Sequence, residues 1–217
     1  MEKNPFKWPL AVIAGILIWV TDIFFNLNAI LLWTTHDFSP FTNYHSDLGL
    51  TKPTPRGHNS ALGAQYYNCG QTFQGVAVIF FAIGLSITYI EDKRQNIIMI
   101  LGQIAAIMAG VALIMNGIYS EDFMPYHSQW SEVLFLSITL TEFICNYALL
   151  KNSDYRKEIS YFGFIAGFIN LFFVLVIWFI NVPFPTYFIE YMGVYGAEIW
   201  VMLVAINIFK NEVWQKD

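Results

Sequence analysis

Three carboxylic acids lie inside long apolar stretches of the sequence, where a charge is most costly. They are Asp22, Glu142 and Glu198, each eleven or twelve residues from an aromatic residue at the end of its stretch. At about 1.5 Å per helical residue, each lies ~16–18 Å below the membrane boundary. No Lys, Arg or His occurs within these stretches. Each acid must therefore be protonated, hydrated, bound to a cation or hydrogen-bonded to neutral groups.

These acids fit two interpretations, a proton or cation site or a set of neutral acids that hydrogen-bond between helices. Neutral partners occur at helical spacing for all three: Asn26 for Asp22, Thr139 and Asn146 for Glu142, and Tyr191 and Tyr195 for Glu198. Both interpretations require acids that face the bundle interior. If Asp22 and Glu198 approach within hydrogen-bonding distance, we expect them to share a proton.

The histidines fall in the segments that connect the apolar stretches, at His36, His45, His58 and His127. Imidazole and carboxylate groups suit zinc, and a catalytic zinc needs three such ligands plus an open position. The candidate ligands are His45, Asp122 and His127. The sequence contains no HExxH pattern, however, so the spacing is not diagnostic. It therefore assigns no metal or other cofactor.

A polar stripe opens the second apolar stretch. Asn68, Gln71 and Gln74 recur every three residues and follow one helix face inward from its start. With Asn116, near the end of the third stretch, they place polar groups in one half of the bundle. That half can hold a cavity or a set of interhelical hydrogen bonds worth about 0.6–2 kcal/mol each. The sequence leaves both alternatives open.

Six apolar stretches carry these residues, and each has the ~20 residues that cross a ~30 Å hydrocarbon layer. The chain is 56% hydrophobic and only 12% charged, whereas soluble proteins are about a quarter charged. We therefore predict an all-α, polytopic membrane bundle that forms one domain over residues 1–217. The predicted spans are 8–33, 66–90, 96–119, 129–150, 159–182 and 187–209, with a long outer loop at 34–65.

Packing and orientation follow from small and basic residues. The small residues Gly102, Ala106, Gly110 and Gly117 form a stripe in span three that lets another helix approach closely. With a cytoplasmic N-terminus, nine of the eleven Lys and Arg residues lie inside. Basic loops favour the cytoplasm, so both termini are expected there and the protein in the cell membrane. No basic arm indicates a nucleic-acid partner.

The long outer loop contains Ser46-Asp47-Leu48-Gly49 within a phrase that starts at Asp37. Looser matches are Asn68-Cys69-Gly70, the segment Gly117–Asp122 followed by His127, and Glu198 near Trp200. These residues resemble a prokaryotic family of membrane proteins, domain of unknown function nine-nine-eight, although its Phe-Pro after the glycine is absent. That family is distantly similar to the Frag, DRAM and Sfk group of six-span proteins. The resemblance implies a six-span fold and a connection with lipids.

The leading hypothesis is a bundle whose outer half binds a lipid or another amphipathic ligand. The residues that would cap the pocket are Ser46, Asp47, Asp122 and His127. The deeper residues would be Asn68, Gln71 and Glu198. One alternative is an intramembrane metal-dependent hydrolase. Another is a proton-linked transporter or channel-like subunit that uses the intramembrane acids. Membrane lipids are the expected partners, and the chain can form a homo-oligomer or join a membrane complex.

The long outer loop is expected to fold back over the mouth of the bundle. Ser46 or Asp47 should then make a hydrogen bond with the second outer loop or the top of span two.

The orientation can be tested with single cysteines in a background without Cys69 and Cys145. A membrane-impermeant maleimide added to intact cells should label Lys52→Cys, which lies in the long loop. Lys151→Cys lies between spans four and five and should react only after the membrane is permeabilised. Labelling of Lys151→Cys in intact cells would contradict the orientation.

Overall fold

The computed structural model describes residues 5–35, 37–180 and 186–214, without the side chain of Phe6. Its long helices are α1 Leu10–Leu31, α2 Ala61–Gly84, α3 Lys93–Ile118, α4 Tyr126–Leu149, α5 Lys157–Trp178 and α6 Tyr187–Phe209. All six are long and apolar enough to cross a membrane, and the described residues contain no strand beyond isolated bridges. The predicted fold class is confirmed, and the chain is a multi-pass membrane protein. His36 and the end of the fifth predicted span lie outside the described residues.

Polar capping residues set the starts of several helices. The Ser60 hydroxyl accepts a hydrogen bond from the Gly63 backbone N–H at 3.0 Å, so α2 begins at residue 61 and not at 66. Asp92 accepts from the Arg94 N–H at 2.9 Å and starts α3 three residues before the predicted boundary. Hydropathy detects only the apolar part of a helix. Capping by Ser60 and Asp92 extends α2 and α3 beyond the predicted boundaries.

The helices form a closed ring in chain order, because each packs against the next and α6 packs against α1. The largest apolar cluster lies at the end where α2 leads into α3 and α4 leads into α5. Its largest members include Phe81, Leu85, Leu149 and Trp200. We call the opposite end, which carries residues 32–35, 37–60 and 119–125, the loop end. The ring is therefore tightly filled at one end and more polar at the other.

Helices α2 and α3 cross with almost no space between their backbones. A Cβ added at Gly110 would lie 2.7 Å from the carbonyl oxygen of Gly75, and one added at Gly75 would lie 2.5 Å from that of Gly110. Further along α3, Gly102 contacts Cys145 of α4. The predicted small-residue stripe of α3 thus allows both α2 and α4 to pack closely against it.

The long loop folds back over the loop end, as predicted. Its 3-10 helix, His45–Gly49, inserts His45, Asp47 and Leu48 into the protein, each less than 5% exposed. The Asn59 side-chain amide donates to the backbone carbonyls of Ala29 at 3.0 Å and Leu48 at 2.9 Å. This residue therefore ties both the end of α1 and the inserted segment to the start of α2.

The α2–α3 crossing predicts opposite outcomes for two glycine substitutions. Gly110→Ala should lower the free energy of unfolding by about 1–3 kcal/mol, because the methyl group meets rigid backbone. Gly196→Ala is the matched control, since its Cβ would lie 3.6 Å from Ala166 at ordinary contact distance. That variant should be neutral or gain up to about 1 kcal/mol of helix propensity. Thermal unfolding in detergent measures both, and equal stability of the two variants would contradict the crossing.

Candidate functional site

An elongated cavity begins in the loop-end half of the ring and extends past its middle to Phe81 and Trp200 of the apolar cluster. It is lined by α1, α2, α3, α4 and α6 together with the inserted loop segment. Along α4 the lining runs from His127 to Glu142, about 22 Å at the helical rise. The cavity holds about 900 Å³ of space between atoms, but only about 100 Å³ can take the centre of a water molecule. It is therefore long and narrow.

Apart from Oε2 of Glu198, which lies near Asp22, two buried oxygens on the cavity wall have no hydrogen-bond partner among the described residues. They are Oδ1 of Asn116 and Oε1 of Glu142, and these residues are 5% and 1% exposed. The other Glu142 oxygen accepts from the Asn170 amide at 2.9 Å. An unsatisfied buried polar atom costs about 1–3 kcal/mol. Both oxygens can therefore accept a hydrogen bond from a molecule in the cavity.

Asp22 and Glu198 meet inside the bundle. Both are 5% exposed, which confirms that they face inward. Asp22 accepts from the Asn26 amide at 2.5 Å, and Glu198 accepts from the Gln74 amide at 2.5 Å. The two carboxyl groups also lie within hydrogen-bonding range of each other. Such a contact requires a proton between them, so the expected shared proton fits the geometry.

Asn146 and Thr139, the neutral partners expected for Glu142, do not bind its carboxyl group. Asn146 donates to the backbone carbonyl of Glu142 at 2.6 Å, and its oxygen accepts from the Trp200 indole at 2.9 Å. The Thr139 hydroxyl bonds the backbone of its own helix. The carboxyl group of Glu142 instead contacts α5 through Asn170. Helical spacing alone identified Asn26 correctly, but it did not identify partners on other helices.

His45 connects the loop to three helices. Its Nε2 accepts from the Asn26 amide at 3.0 Å, so Nδ1 carries the proton and donates to the Tyr67 hydroxyl at 3.1 Å. Its backbone N–H donates to Glu190 Oε2 at 2.8 Å. Burial lowers the pKa of His45 to about 4, so the ring is neutral at pH 7. Polar contacts therefore run from the midplane acids to the loop.

A charged cluster closes the loop end. The Arg56 guanidinium binds Asp47 through Nε and Nη2 at 2.8–3.0 Å and reaches Glu121 Oε1 at 2.6 Å. One positive charge therefore faces two carboxyl groups. Burial and the neighbouring Asp47 raise the pKa of Glu121 to about 8. Arg56 thus joins the long loop to the second loop.

The seven predicted pocket residues separate into two groups. Those that line the cavity are Ser46, Gln71, His127 and Glu198. Those outside its lining are Asp47, Asn68 and Asp122.

Each residue of the second group has another position or partner. Asp47 binds Arg56, and Asp122 accepts hydrogen bonds from Thr51 and Lys52 at 2.6–3.1 Å. Asn68 lies in a separate groove beside Gly117. Asp47 and Asn68 each lie next to a lining residue in the sequence, which did not reveal that their own side chains lie elsewhere.

The candidate metal ligands do not converge. His45 binds Asn26 and Tyr67, whereas His127 lies against the Tyr119 carbonyl at 2.9 Å. Asp122 holds the backbone of the long loop. Across the described ranges, no three His, Cys, Asp or Glu side chains are placed to hold a metal ion. The geometry gives the metal-dependent alternative no support.

Glu190 is a cavity residue that the sequence reasoning missed. It lies in the first turn of α6, fully covered by the loop, and accepts the His45 N–H. The sequence offered one indication: Glu190 lies about two helical turns before Glu198 and therefore on nearly the same face of α6. A glutamate in a first turn is also typical of an exposed helix start. Only the insertion of His45 shows that this one is buried.

A second hollow at the loop end adjoins the cavity and shares five lining residues with it. The residues shared by the two are Ser46, His127, Ser131, Phe135 and Glu190. The second hollow extends between α4 and α5, where Phe173, Ile177 and Trp178 line it, and it also reaches Arg56. An apolar passage with a charged rim therefore leads into the cavity.

The raised pKa of Glu121 predicts a pH-dependent stability. Between its unfolded value of 4.5 and about 8, only the folded state holds this proton. The free energy of unfolding should therefore fall as pH rises through this window, by at most about 1.4 kcal/mol per unit. His45 opposes this below pH 6.5, because the stability from its neutral form is lost as pH falls from 6.5 to 4. The window from pH 6.5 to 8 leaves out the contribution of His45, and comparison with a variant that lacks the Glu121 carboxyl group isolates Glu121.

Thermal unfolding of wild type and Glu121→Gln at pH 6.5 and 8.0 provides the measurement. The wild type should lose stability relative to the variant as pH rises. Glu91→Gln removes an exposed carboxylate at the opposite end and should follow the wild type. Parallel profiles for wild type and Glu121→Gln would show that Glu121 does not titrate in this range.

The sequence profile of a family described as protein of unknown function (DUF998) matches residues 12–207. This range includes parts of all six helices, the inserted loop segment and every residue that lines the cavity. No curated protein and no solved structure matches the chain. The match confirms the family that was identified from Ser46-Asp47-Leu48-Gly49. The chain belongs to the DUF998 family of membrane proteins.

Proposed function

We propose that this protein binds a lipid or another elongated amphipathic molecule in the cavity of its loop-end half. The observation that carries the proposal is a long, narrow cavity with unsatisfied buried oxygens on a mainly apolar wall. Ligand sites are typically apolar with a few polar groups that fix orientation. An alkyl chain matches the apolar wall, and a polar group on the ligand can satisfy Asn116 or Glu142.

The second hollow supports an entry route for such a ligand. It joins the cavity at the loop end and is lined by apolar residues of α4 and α5. A lipid in the adjoining leaflet could pass its chain between these helices while its polar group follows the charged rim. The basic-residue pattern favours a loop end outside the cytoplasm. With that orientation, the proposed site opens to the outer leaflet of the membrane.

A second candidate, proton-linked transport, is favoured by one specific observation. The carboxyl groups of Asp22 and Glu198 lie within hydrogen-bonding range of each other, and Asn26 links Asp22 to His45. This arrangement gives a proton a place to reside and polar neighbours toward the loop. Ligand binding and proton movement can belong to one mechanism if both use Glu198. Glu198→Gln would then abolish proton uptake on ligand binding while the protein remains folded.

The binding proposal can be tested by filling the cavity. Ala197 lines it and is only partly buried, so Ala197→Leu should occupy the space without a backbone clash. Wild-type protein purified in mild detergent should retain a lipid class that native mass spectrometry resolves. Ala197→Leu should retain at least roughly tenfold less, the effect of losing about 1.4 kcal/mol of binding energy.

Ala61→Leu is the matched control, since Ala61 is exposed and does not line the cavity. It should retain as much lipid as the wild type. Equal retention by the wild type and Ala197→Leu would show that any bound lipid lies elsewhere.

A further inference from the structure

The ionisable groups of the cavity wall have one sign. Three carboxyl groups line it, from Glu142, Glu190 and Glu198, and its lining contains neither Lys nor Arg. Two histidines lie at the loop end of the wall. His45 is neutral at pH 7, because burial lowers its pKa to about 4, so it does not compensate the acids. A ligand in this cavity therefore meets an acidic wall with no positive side chain on it.

The buried polar atoms of the cavity wall that lack a hydrogen-bond partner are all acceptors. Oδ1 of Asn116 and Oε1 of Glu142 are hydrogen-bond acceptors without a donor among the described residues. Glu198 Oε2 has no amide or hydroxyl donor and lies near the carboxyl group of Asp22. The Trp200 indole N–H, a donor on the same wall, is already bonded to Asn146. A ligand that satisfies these acceptors must therefore supply a hydrogen-bond donor or a positive charge.

The acidic wall and its unsatisfied acceptors favour some polar head groups of an amphipathic ligand over others. A phosphate, sulfate or carboxylate would bring more acceptors and a negative charge beside Glu142 and Glu198, which is costly in a low-dielectric interior. A neutral hydroxyl could satisfy one acceptor but would leave the charge imbalance. An ammonium group supplies the positive charge that the spans lack. It can also lie against the aromatic rings of Phe81 and Trp200, which line the same cavity.

We propose that the ligand of this cavity is a cationic amphipath, whose ammonium group binds between the carboxyl groups of Glu142 and Glu198. This inference rests on the proposed function and adds the chemical class of the ligand. The ammonium group neutralises the wall, and the alkyl chain extends along the apolar lining toward the loop end. Glu190 lies on the path, so a cation that enters from the second hollow meets one carboxyl group before it reaches the other two.

Three probes with the same ten-carbon chain test the ligand class: decyltrimethylammonium, decanol and decyl sulfate. Each is titrated into the protein in phosphatidylcholine nanodiscs, and protein-free nanodiscs provide the partitioning background. We expect decyltrimethylammonium to bind at least roughly tenfold more tightly than decanol, a difference of about 1.4 kcal/mol. Decyl sulfate should bind least. Sodium chloride at equal concentration should not displace the cationic probe.

Substitutions of Glu142 and Glu198 test whether these two carboxyl groups bind the ammonium group. Glu142→Gln keeps the oxygen that accepts from Asn170, and Glu198→Gln keeps one for Gln74, so both should fold. Each should lose roughly tenfold in affinity for decyltrimethylammonium while the decanol affinity stays unchanged. Glu91→Gln should bind all three probes as the wild type does. Ala197→Leu should weaken binding of both the cationic and the neutral probe.

The outcomes separate this inference from the proposed function. Decanol that binds as tightly as decyltrimethylammonium, with both sensitive to Ala197→Leu, would overturn the cationic class and leave the binding proposal intact. Binding of no probe above the background of protein-free nanodiscs would overturn both. Displacement of the cationic probe by sodium would indicate an inorganic cation site and would likewise overturn the inference.

Discussion

The loop-end half of this protein depends on how buried carboxyl groups are neutralised in helices that offer no internal Lys or Arg. Asp22 and Glu198 meet and accept hydrogen bonds from Asn26 and Gln74. Glu190 accepts the backbone N–H of the inserted loop segment. An ionised carboxylate in hydrocarbon is costly, so each contact stabilises the placement of a helix as well as an acid. Glu142 is left with an unsatisfied oxygen, and this residue lines the cavity.

The same constraint explains why the two ends of the ring differ. Glycines bring α2 and α3 into backbone contact, and large apolar side chains fill the end opposite the loop. Polar side chains cannot pack in this way, because each needs partners at fixed distances and angles. The loop end therefore keeps a cavity and requires residues 37–60 to cover it. His45 and Asn59 attach this cover to the helices, and Arg56 links it to the second loop.

Much of the fold could be predicted from the sequence, because spans, inward-facing acids and small-residue stripes depend on local patterns. Asn26 was identified because it lies one helical turn from Asp22. The contact of Asp22 with Glu198 could not be derived, because nothing local specifies which acids on α1 and α6 meet. Asp47, Asn68 and Asp122 lie outside the cavity lining for a similar reason. Adjacent loop residues point in different directions, and the position of Arg56 decides where Asp47 lies.

The central claim is that the cavity is a ligand site and not an incompletely packed interior. An experimental density map of the protein in lipid nanodiscs tests this most directly. We predict continuous elongated density from the second hollow into the cavity, in contact with Asn116 and Glu142. A cavity closed by repacked side chains, with both oxygens bonded to other protein groups, would contradict the claim.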